Sequence, residues 1–392
     1  MIIRRGLPVV ISMNFVNLPP PIPNGADGGL VMEQNRTQIE SLEPLGKELD
    51  DATLLSRMIS VLRFPLIVAI VCIHAHIPEP VVGPAGDHAG YAVVYDWLAQ
   101  VVARVAVPLF FLISGYLFFL KVERLTFSVY GHKLLTRLRT LFVPYIWWNV
   151  AAVLITFLFH TYVFHFRSAV PDWDWSHWMA ALWDYRGGMP YNYPLWYIRN
   201  LMLMAVSAPL QWWLLKRLPY PTLCLAGVCW FLSGDNTSAT VFFFMLGAWL
   251  GMIRRPFGWL LWRWAWPAVS LYMVWSVVEV GWGRAHWASE LHQLGVVLGA
   301  VSLMGLSARY VAWGGRQWKW LQASGFWVYA THVIVLGPTQ TWLFRSYRPV
   351  SDAGLISVYV AQIVWATGLG IAFYALLHKC LPRLTAWLTG GR

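Results

Sequence analysis

Three side chains that could do chemistry interrupt an otherwise apolar stretch, RFPLIVAIVCIHAH, at residues 63–76. Arg63 and His74 are eleven residues apart, which in an α-helix is about three turns plus 20°, so the two lie on one face. They are separated by about 16 Å along the helix axis. His76 lies about 220° around the helix from Arg63, nearly opposite that face. A cation and an imidazole at different depths of one face suit a pore for a long anionic ligand, with the neutral imidazole as general base.

An alternative assigns these three side chains to the membrane surfaces. Arg63 would then reach lipid phosphates, and both histidines would mark the opposite interface. We adopt this interpretation for His76, which lies off the shared face. For Arg63 and His74 a chemical role is favoured, because ionisable side chains inside a membrane are costly and usually functional.

Four further positions are candidates for contact with a substrate. Arg104 has apolar sequence on both sides, which favours a polar or substrate-facing network over anchoring at the outer interface. Ser114 offers a hydroxyl, although a small residue at a helix contact is the commoner explanation. Arg199 could face a substrate or belong to a packed ion pair. Trp196 could lie in the interfacial aromatic belt or stack on a sugar.

The composition predicts a polytopic membrane protein. Of the 392 residues, 58% are hydrophobic and only 12% are charged, whereas soluble domains average about 25% charged residues. The formal net charge is +11. We assign this excess to cytoplasmic connections, where Lys and Arg collect, and not to nucleic-acid binding.

We therefore expect an all-α integral membrane protein with about ten transmembrane helices, since each span needs about 20 mostly apolar residues. The predicted spans are 57–78, 93–120, 140–164, 194–215, 219–233, 238–253, 257–280, 291–308, 321–343 and 354–378. The second is too long for one straight span, so it is either a short helix leading into another or one kinked helix. The fifth and sixth flank SGDNTS and could form a tight hairpin.

The distribution of positive charge predicts that both termini are cytoplasmic. On that side fall fifteen residues: Lys121, Arg124, Lys133, Arg137, Arg139, Lys216, Arg217, Arg254, Arg255, Arg309, Arg316, Lys319, Lys379, Arg383 and Arg392. On the other side fall five: Arg167, Arg186, Arg284, Arg345 and Arg348. Residues 1–52, rich in Pro, Gly and acidic side chains, form a predicted disordered cytoplasmic tail. Residues 53–380 form the membrane domain, and 381–392 form a short cytoplasmic tail.

Two groups of polar residues fall in predicted external connections. Glu279, Glu290 and His292 surround the connection at 280–292, and we expect a solvated loop there, with an acceptor-binding rim as the alternative. A second group is His160, His165 and His177. Its spacing is not typical of metal ligands on one helix face, so we predict no metal site.

Several motifs, taken in order along the chain, resemble membrane-bound acyltransferase family 3, the bacterial O-acyltransferases that modify surface and periplasmic glycans. The first is the Arg-x10-His spacing of Arg63 and His74, which is similar to that family's Arg/Lys-x10-His signature. The others are RVAVPLFFLISGYLFF at 104–119, LRTLFVPYIWW at 138–148, YPLWYIRNLMLM at 193–204, FFFMLGAWLG at 242–251 and ASGFWVYATHVIVL at 323–336. Together they run from residue 57 to about 380.

The resemblance implies acyl transfer in the bacterial inner membrane, from a cytoplasmic acyl-coenzyme A to a hydroxyl of an extracytoplasmic glycan or glycolipid. Acetyl-coenzyme A is the expected donor, and glycan-synthesis proteins are potential partners. His74 corresponds to the family's essential histidine and Arg63 to its motif partner. His332 corresponds to a histidine often found in the family, with a hydrogen-bonded core histidine as the alternative. His74 either deprotonates the acceptor hydroxyl or is itself acylated first; both routes are open.

Two other classes of function compete with an enzyme. One is a polysaccharide transporter or exporter in which Arg63, Arg104 and Arg199 line a conduit. The other is a membrane protein that only scaffolds a glycan-synthesis complex. A transporter could tolerate glutamine at position 74 with reduced flux, whereas an enzyme that uses His74 chemically could not.

Overall fold

The computed structural model describes residues 49–83, 87–163, 174–185, 187–282 and 290–391. This part of the chain is almost entirely helical, as predicted. Its helices are α1 Asp51–His74, α2 Glu79–Val82, α3 Ala89–Phe119, α4 Phe127–Leu158, α5 Trp175–Trp183, α6 Trp196–Val206, α7 Ala208–Arg217, α8 Pro219–Ser233, α9 Asn236–Ile253, α10 Gly258–Trp282, α11 Glu290–Ala312, α12 Lys319–Ser346, α13 Asp352–Cys380 and α14 Pro382–Leu388. Outside the described residues lie the predicted tail up to residue 48, His165, Arg167, Arg186, Arg284, Arg392 and the side chains of His160 and Glu290.

Six helices of the described chain are long and apolar enough to cross a membrane: α1, α3, α4, α9, α13 and the Leu291–Ala312 part of α11. Helices also cover the other four predicted spans. Helix α13 shows the pattern expected in lipid, because Val364 and Trp365 are exposed while Tyr359 and Gln362 are buried. The structure therefore supports a multi-pass membrane protein.

Helix α1 starts and ends earlier than the predicted 57–78. Its N-cap is Asp50, whose carboxylate accepts a hydrogen bond from the Thr53 N–H. The helix ends at His74, and the Ala75 N–H closes the last turn by donating to the Val71 carbonyl. The helix therefore ends four residues before Pro78. His74 is the last residue of α1.

For the predicted span 93–120 the structure has the second of the two alternatives, one long helix, α3. It changes its hydrogen-bonding pattern along its length: Asp96–Val102 is π-helical and Ala103–Val105 is a 3₁₀ turn, before regular α-helix resumes at Ala106. Pro108 lies just after the change, and its nitrogen cannot donate to the carbonyl of Arg104. Such local changes in helical pattern are frequent at functional sites.

Helices α3 and α9 are in backbone contact, which fixes the position of Ser114. A Cβ at Gly115 would lie 2.0 Å from the Phe244 carbonyl oxygen, and one at Gly247 would lie 1.9 Å from the Leu112 carbonyl oxygen. Only glycine permits so close an approach of two membrane helices. The predicted hairpin is present, because only two residues separate α8 from α9.

The predicted span 194–215 is two helices and not one. Helix α6 ends at Val206, Ser207 intervenes, and α7 begins at Ala208. Pro209 cannot donate to a carbonyl of the preceding turn. The hydroxyl of Ser207 donates instead to the carbonyls of Leu203 and Met204.

Candidate functional site

Two cavities adjoin along helix α1. The first, here the His74 cavity, has a volume of about 550 Å³ and is lined by His74, Gln100, Arg104, Tyr193, Trp196 and His292, among others. The second, here the Arg63 cavity, has a volume of about 510 Å³ and is lined by Arg63, Ser114, Arg137, Lys319 and Gln322, among others. Ile70, Tyr197 and Tyr329 line both cavities. The shared helical face of Arg63 and His74 thus faces two adjoining spaces.

His74 is held by a tyrosine and a second histidine. Its Nδ1 lies 3.0 Å from the hydroxyl oxygen of Tyr193, and the two rings meet edge to face with centroids 4.9 Å apart. The ring of His332 stacks on the ring of His74, with centroids 5.3 Å apart and planes inclined by 30°. With Nδ1 engaged by Tyr193, Nε2 is the ring nitrogen of His74 that is available for proton transfer.

His332 is completely buried behind His74. Its Nδ1 is 2.7 Å from the Tyr329 carbonyl oxygen, which can only accept, so the proton is on Nδ1 and Nε2 carries a lone pair in the neutral ring. Within the described chain, that Nε2 has no hydrogen-bond partner. His332 is thus both a hydrogen-bonded core histidine and the neighbour of the candidate base.

Arg104 belongs to a polar network at the edge of the His74 cavity. Its Nε and Nη2 donate to the Gln100 Oε1 at 3.0 and 2.5 Å, and the Gln100 amide donates to the Tyr95 hydroxyl at 3.1 Å. A guanidinium carries five N–H groups, so Gln100 orients Arg104 without using all its donors. The remaining donors are available to a ligand in the cavity.

Tyrosine side chains separate the two cavities. The hydroxyls of Ser114 and Tyr197 are 3.0 Å apart, and Tyr197 also donates to the Phe110 carbonyl. The hydroxyl of Tyr329 donates to the Pro194 carbonyl. Each ring at the junction between the cavities is thus held by a hydrogen bond of its hydroxyl. Ser114 combines the two roles weighed from the sequence, since it forms a hydrogen bond beside the tight glycine contact.

The Arg63 cavity is strongly basic. Three cationic side chains line it, namely Arg63, Arg137 and Lys319, and none of its described lining residues is acidic. They come from α1, α4 and α12, so the cluster exists only in the folded protein. A space of this charge suits an anion with several phosphates.

Three sequence candidates differ in how the structure places them. Trp196 lines the His74 cavity. Arg199 lines neither cavity: its Nη1 donates to the Trp183 carbonyl at 2.5 Å, and its guanidinium lies over the Trp183 ring at 5.3 Å. His76 is exposed, and its carbonyl accepts a hydrogen bond from Gln340.

The expectation of a solvated loop is wrong for Glu279 and His292. Glu279 is buried, with 6% of its surface exposed, and its Oε1 lies 2.5 Å from Nδ1 of His292. His292 lines the His74 cavity. The two residues are thirteen positions apart, but the antiparallel packing of α10 and α11 brings them together. Among the described residues, no three His, Cys, Asp or Glu side chains cluster as metal ligands.

Sequence reasoning missed several residues that the structure brings to the cavities: Gln100, Arg137, Tyr193, Lys319 and Gln293. Tyr193 lies within the YPLWYIRN motif, which was a usable signal. Arg137 and Lys319 had been counted only toward membrane orientation. For the two glutamines the sequence carries no signal that we can identify.

Comparisons with known proteins point to one family. A family model described as an acyltransferase domain, Acyl_transf_3, matches residues 58–375. The chain is also similar to the Succinoglycan biosynthesis protein ExoH of Rhizobium meliloti (strain 1021), with 25% identity over 359 residues that cover 86% of this chain and 92% of that protein. No solved structure matches the chain.

Proposed function

The chain belongs to the acyltransferase family predicted from its sequence, and on that premise we propose that it transfers an acyl group, preferentially acetyl, from acyl-coenzyme A to a glycan hydroxyl. The donor enters the Arg63 cavity, the acceptor enters the His74 cavity, and the acyl group passes between them. The similarity to a protein named for succinoglycan biosynthesis supports a polysaccharide or its lipid-linked precursor as acceptor. The protein resides in the inner membrane of a bacterium, with ten spans and both termini in the cytoplasm.

The observation that carries this proposal is the pair of adjoining cavities of different chemistry along α1. One holds three cations, and the other holds an imidazole, a guanidinium and aromatic rings. A donor with phosphates at one end and a thioester at the other would fit this arrangement with its thin pantetheine arm between Tyr197 and Tyr329. Arg137 and Lys319 both fall on the side that the charge distribution assigns to the cytoplasm, which is where acyl-coenzyme A is made.

The donor is bound mainly through its phosphates. Arg63, Arg137 and Lys319 form charge-assisted hydrogen bonds with them, and Arg side chains do so with two parallel N–H groups. The apolar residues of the same cavity, including Ile67 and Phe110, contact the pantetheine arm. Binding therefore needs little rearrangement of the protein, because each cation is already directed to one space.

The chemistry takes place at His74. The acceptor hydroxyl gives its proton to Nε2 as its oxygen attacks the thioester carbon, the carbon–sulfur bond breaks, and the departing thiolate takes the proton back. For this step the proton of neutral His74 is on Nδ1, which donates to the Tyr193 hydroxyl oxygen, so that Nε2 has a free lone pair. His332 limits rotation of the ring. An acyl-histidine formed first on Nε2 would use the same geometry. Arg104 and Trp196 hold the acceptor next to the reacting atoms.

The test compares two histidines of one segment. Purified protein in lipid nanodiscs receives radiolabelled acetyl-coenzyme A, with oligosaccharides from the host's own surface polysaccharide, freed of acyl groups by mild alkali, as acceptor. We expect His74→Ala to abolish transfer while donor binding persists, and His76→Ala to retain the wild-type rate. Robust transfer by His74→Ala would overturn the proposal.

A further inference from the structure

A carboxylate–imidazole pair at the wall of the His74 cavity takes no part in the acyl transfer proposed at His74. Glu279 from α10 accepts a hydrogen bond from Nδ1 of His292 on α11, at 2.5 Å. Because Nδ1 is used in this way, Nε2 is the ring nitrogen of His292 that can meet a ligand, and in the neutral ring it is an acceptor. His292 lines the cavity, whereas Glu279 lies behind it, 6% exposed.

The surroundings of Glu279 are shaped around the carboxylate. A Cβ at Gly295 would lie 2.6 Å from Glu279 Oε2 and 2.9 Å from Nε1 of Trp275, so the absence of a side chain at Gly295 leaves room for both groups. Within the described chain, Glu279 Oε2 has no hydrogen-bond partner. A buried carboxylate is costly unless it is paired, and the partner of Glu279 is an imidazole that lines the cavity.

A second buried acceptor adjoins the pair. Gln293 lines the same cavity with 3% of its surface exposed, and its Oε1 has no hydrogen-bond partner in the described chain. Trp230 and Asn236 also line this cavity. The Gln293 Oε1 without a donor and the Nε2 acceptor of His292, in a cavity that Trp230 also lines, match a ligand that offers several O–H donors and an apolar ring face, which is the surface of a sugar.

We propose that Glu279, His292 and Gln293 form an acceptor subsite, in which His292 Nε2 and Gln293 Oε1 accept hydrogen bonds from sugar hydroxyls other than the one acylated. His292 and Gln293 bind the acceptor, and Glu279 is a positioning residue that holds the His292 ring. The inference rests on the proposed function. His292 is placed for binding and not for transfer, because His74 stacks on His332, whose ring contacts the junction residue Tyr329, whereas His292 is hydrogen-bonded to Glu279 on α10.

The experiment separates acceptor binding from donor use. His292→Gln and Glu279→Gln are assayed in nanodiscs with radiolabelled acetyl-coenzyme A and the de-acylated host oligosaccharide over a range of acceptor concentrations. We expect the acceptor KM to rise about tenfold or more for His292→Gln and about three- to tenfold for Glu279→Gln, the effect of losing or weakening about one hydrogen bond to the acceptor. The donor KM and the kcat at saturating acceptor stay within about twofold of wild type.

Matched controls and a third variant guard against a general loss of structure. His378→Gln and Glu123→Gln change the same residue types at exposed positions and should leave all constants unchanged. Gly295→Ala keeps both Glu279 and His292 but places a Cβ 2.6 Å from Glu279 Oε2, so it should displace the carboxylate and raise the acceptor KM in the same way as Glu279→Gln.

Two results would overturn the subsite. One is an unchanged acceptor KM in both His292→Gln and Glu279→Gln. The other is a loss of kcat at saturating acceptor with an unchanged KM, which would assign His292 to the chemical step. Failure of the proposed function would look different, since the wild-type protein itself would then neither bind acetyl-coenzyme A nor label the oligosaccharide.

Discussion

Replacing Tyr193 by phenylalanine should slow the chemical step without weakening substrate binding. The substitution removes one hydrogen bond, the 3.0 Å contact between the Tyr193 hydroxyl and Nδ1 of His74, and retains the edge-to-face ring contact at 4.9 Å. A hydrogen bond between neutral groups contributes about 0.5–1.5 kcal/mol. If that energy holds the reactive tautomer and ring orientation, kcat should fall about threefold to tenfold. The donor KM should not change, because Tyr193 lines only the His74 cavity.

The assay for this prediction is steady-state transfer of radiolabelled acetyl groups to the host oligosaccharide, with donor and acceptor varied in turn. Tyr220→Phe is the matched control, since Tyr220 is 72% exposed on α8, and it should behave as wild type. A kcat for Tyr193→Phe within about twofold of wild type would refute the role of Tyr193 in setting the state of His74. So would a defect confined to the donor KM.

Two further predictions concern the donor cavity and the helix packing. Lys319→Ala should raise the donor KM about fivefold, the effect of a contact of about 1 kcal/mol, and this increase should become smaller as the salt concentration is raised. The control Lys121→Ala, at an exposed position, should leave the donor KM unchanged. An equal change of the donor KM in both variants would contradict a specific phosphate site. Gly247→Ala should destabilise the protein by about 1–3 kcal/mol, because the added Cβ would lie 1.9 Å from the Leu112 carbonyl oxygen. Thermal unfolding in detergent measures this loss against Gly368→Ala, where nothing lies within 4 Å of the added Cβ, and equal melting temperatures would refute the backbone contact.

What the sequence predicts well is what one helix determines by itself. The spacing of Arg63 and His74 depends only on the geometry of α1, so the shared face could be predicted without knowledge of any other helix. The approach of His332 to His74 is different, because it requires α12 to pack on α1 in one particular rotation. Only the family resemblance suggested His332, and only the structure gives its stacking distance.

The cation cluster illustrates a limit of the same reasoning. Arg137 and Lys319 are typical of a cytoplasmic connection in sequence, and nothing local distinguishes them from Arg139 or Arg316. In a membrane protein both the lipid-facing and the protein-facing sides of a helix are apolar. Hydrophobic periodicity therefore gives little information about which side faces the core. Which cations meet in one cavity is therefore a property of the tertiary structure.

Glu279 and His292 also show that contacts between helices cannot be predicted from local sequence. Both lie near a polar segment between two predicted spans, which favours the interpretation as solvated residues. The structure extends α10 to Trp282 and begins α11 at Glu290, so both residues are on helices that pack side by side. The predicted spans 257–280 and 291–308 already contained both residues, so the sequence placed them on helices but did not show the packing of α10 on α11 that buries the pair.

The central claim is that the acyl group crosses from the Arg63 cavity to the His74 cavity, and transfer across a sealed bilayer tests it most directly. Proteoliposomes enclose the host oligosaccharide, and radiolabelled acetyl-coenzyme A, which does not cross the bilayer, is added outside. We predict that radiolabel accumulates on the enclosed oligosaccharide and that His74→Ala prevents this labelling. When donor and acceptor are both supplied only outside the proteoliposomes, we predict no labelled oligosaccharide. Labelling that requires donor and acceptor on the same side of the membrane would contradict the account.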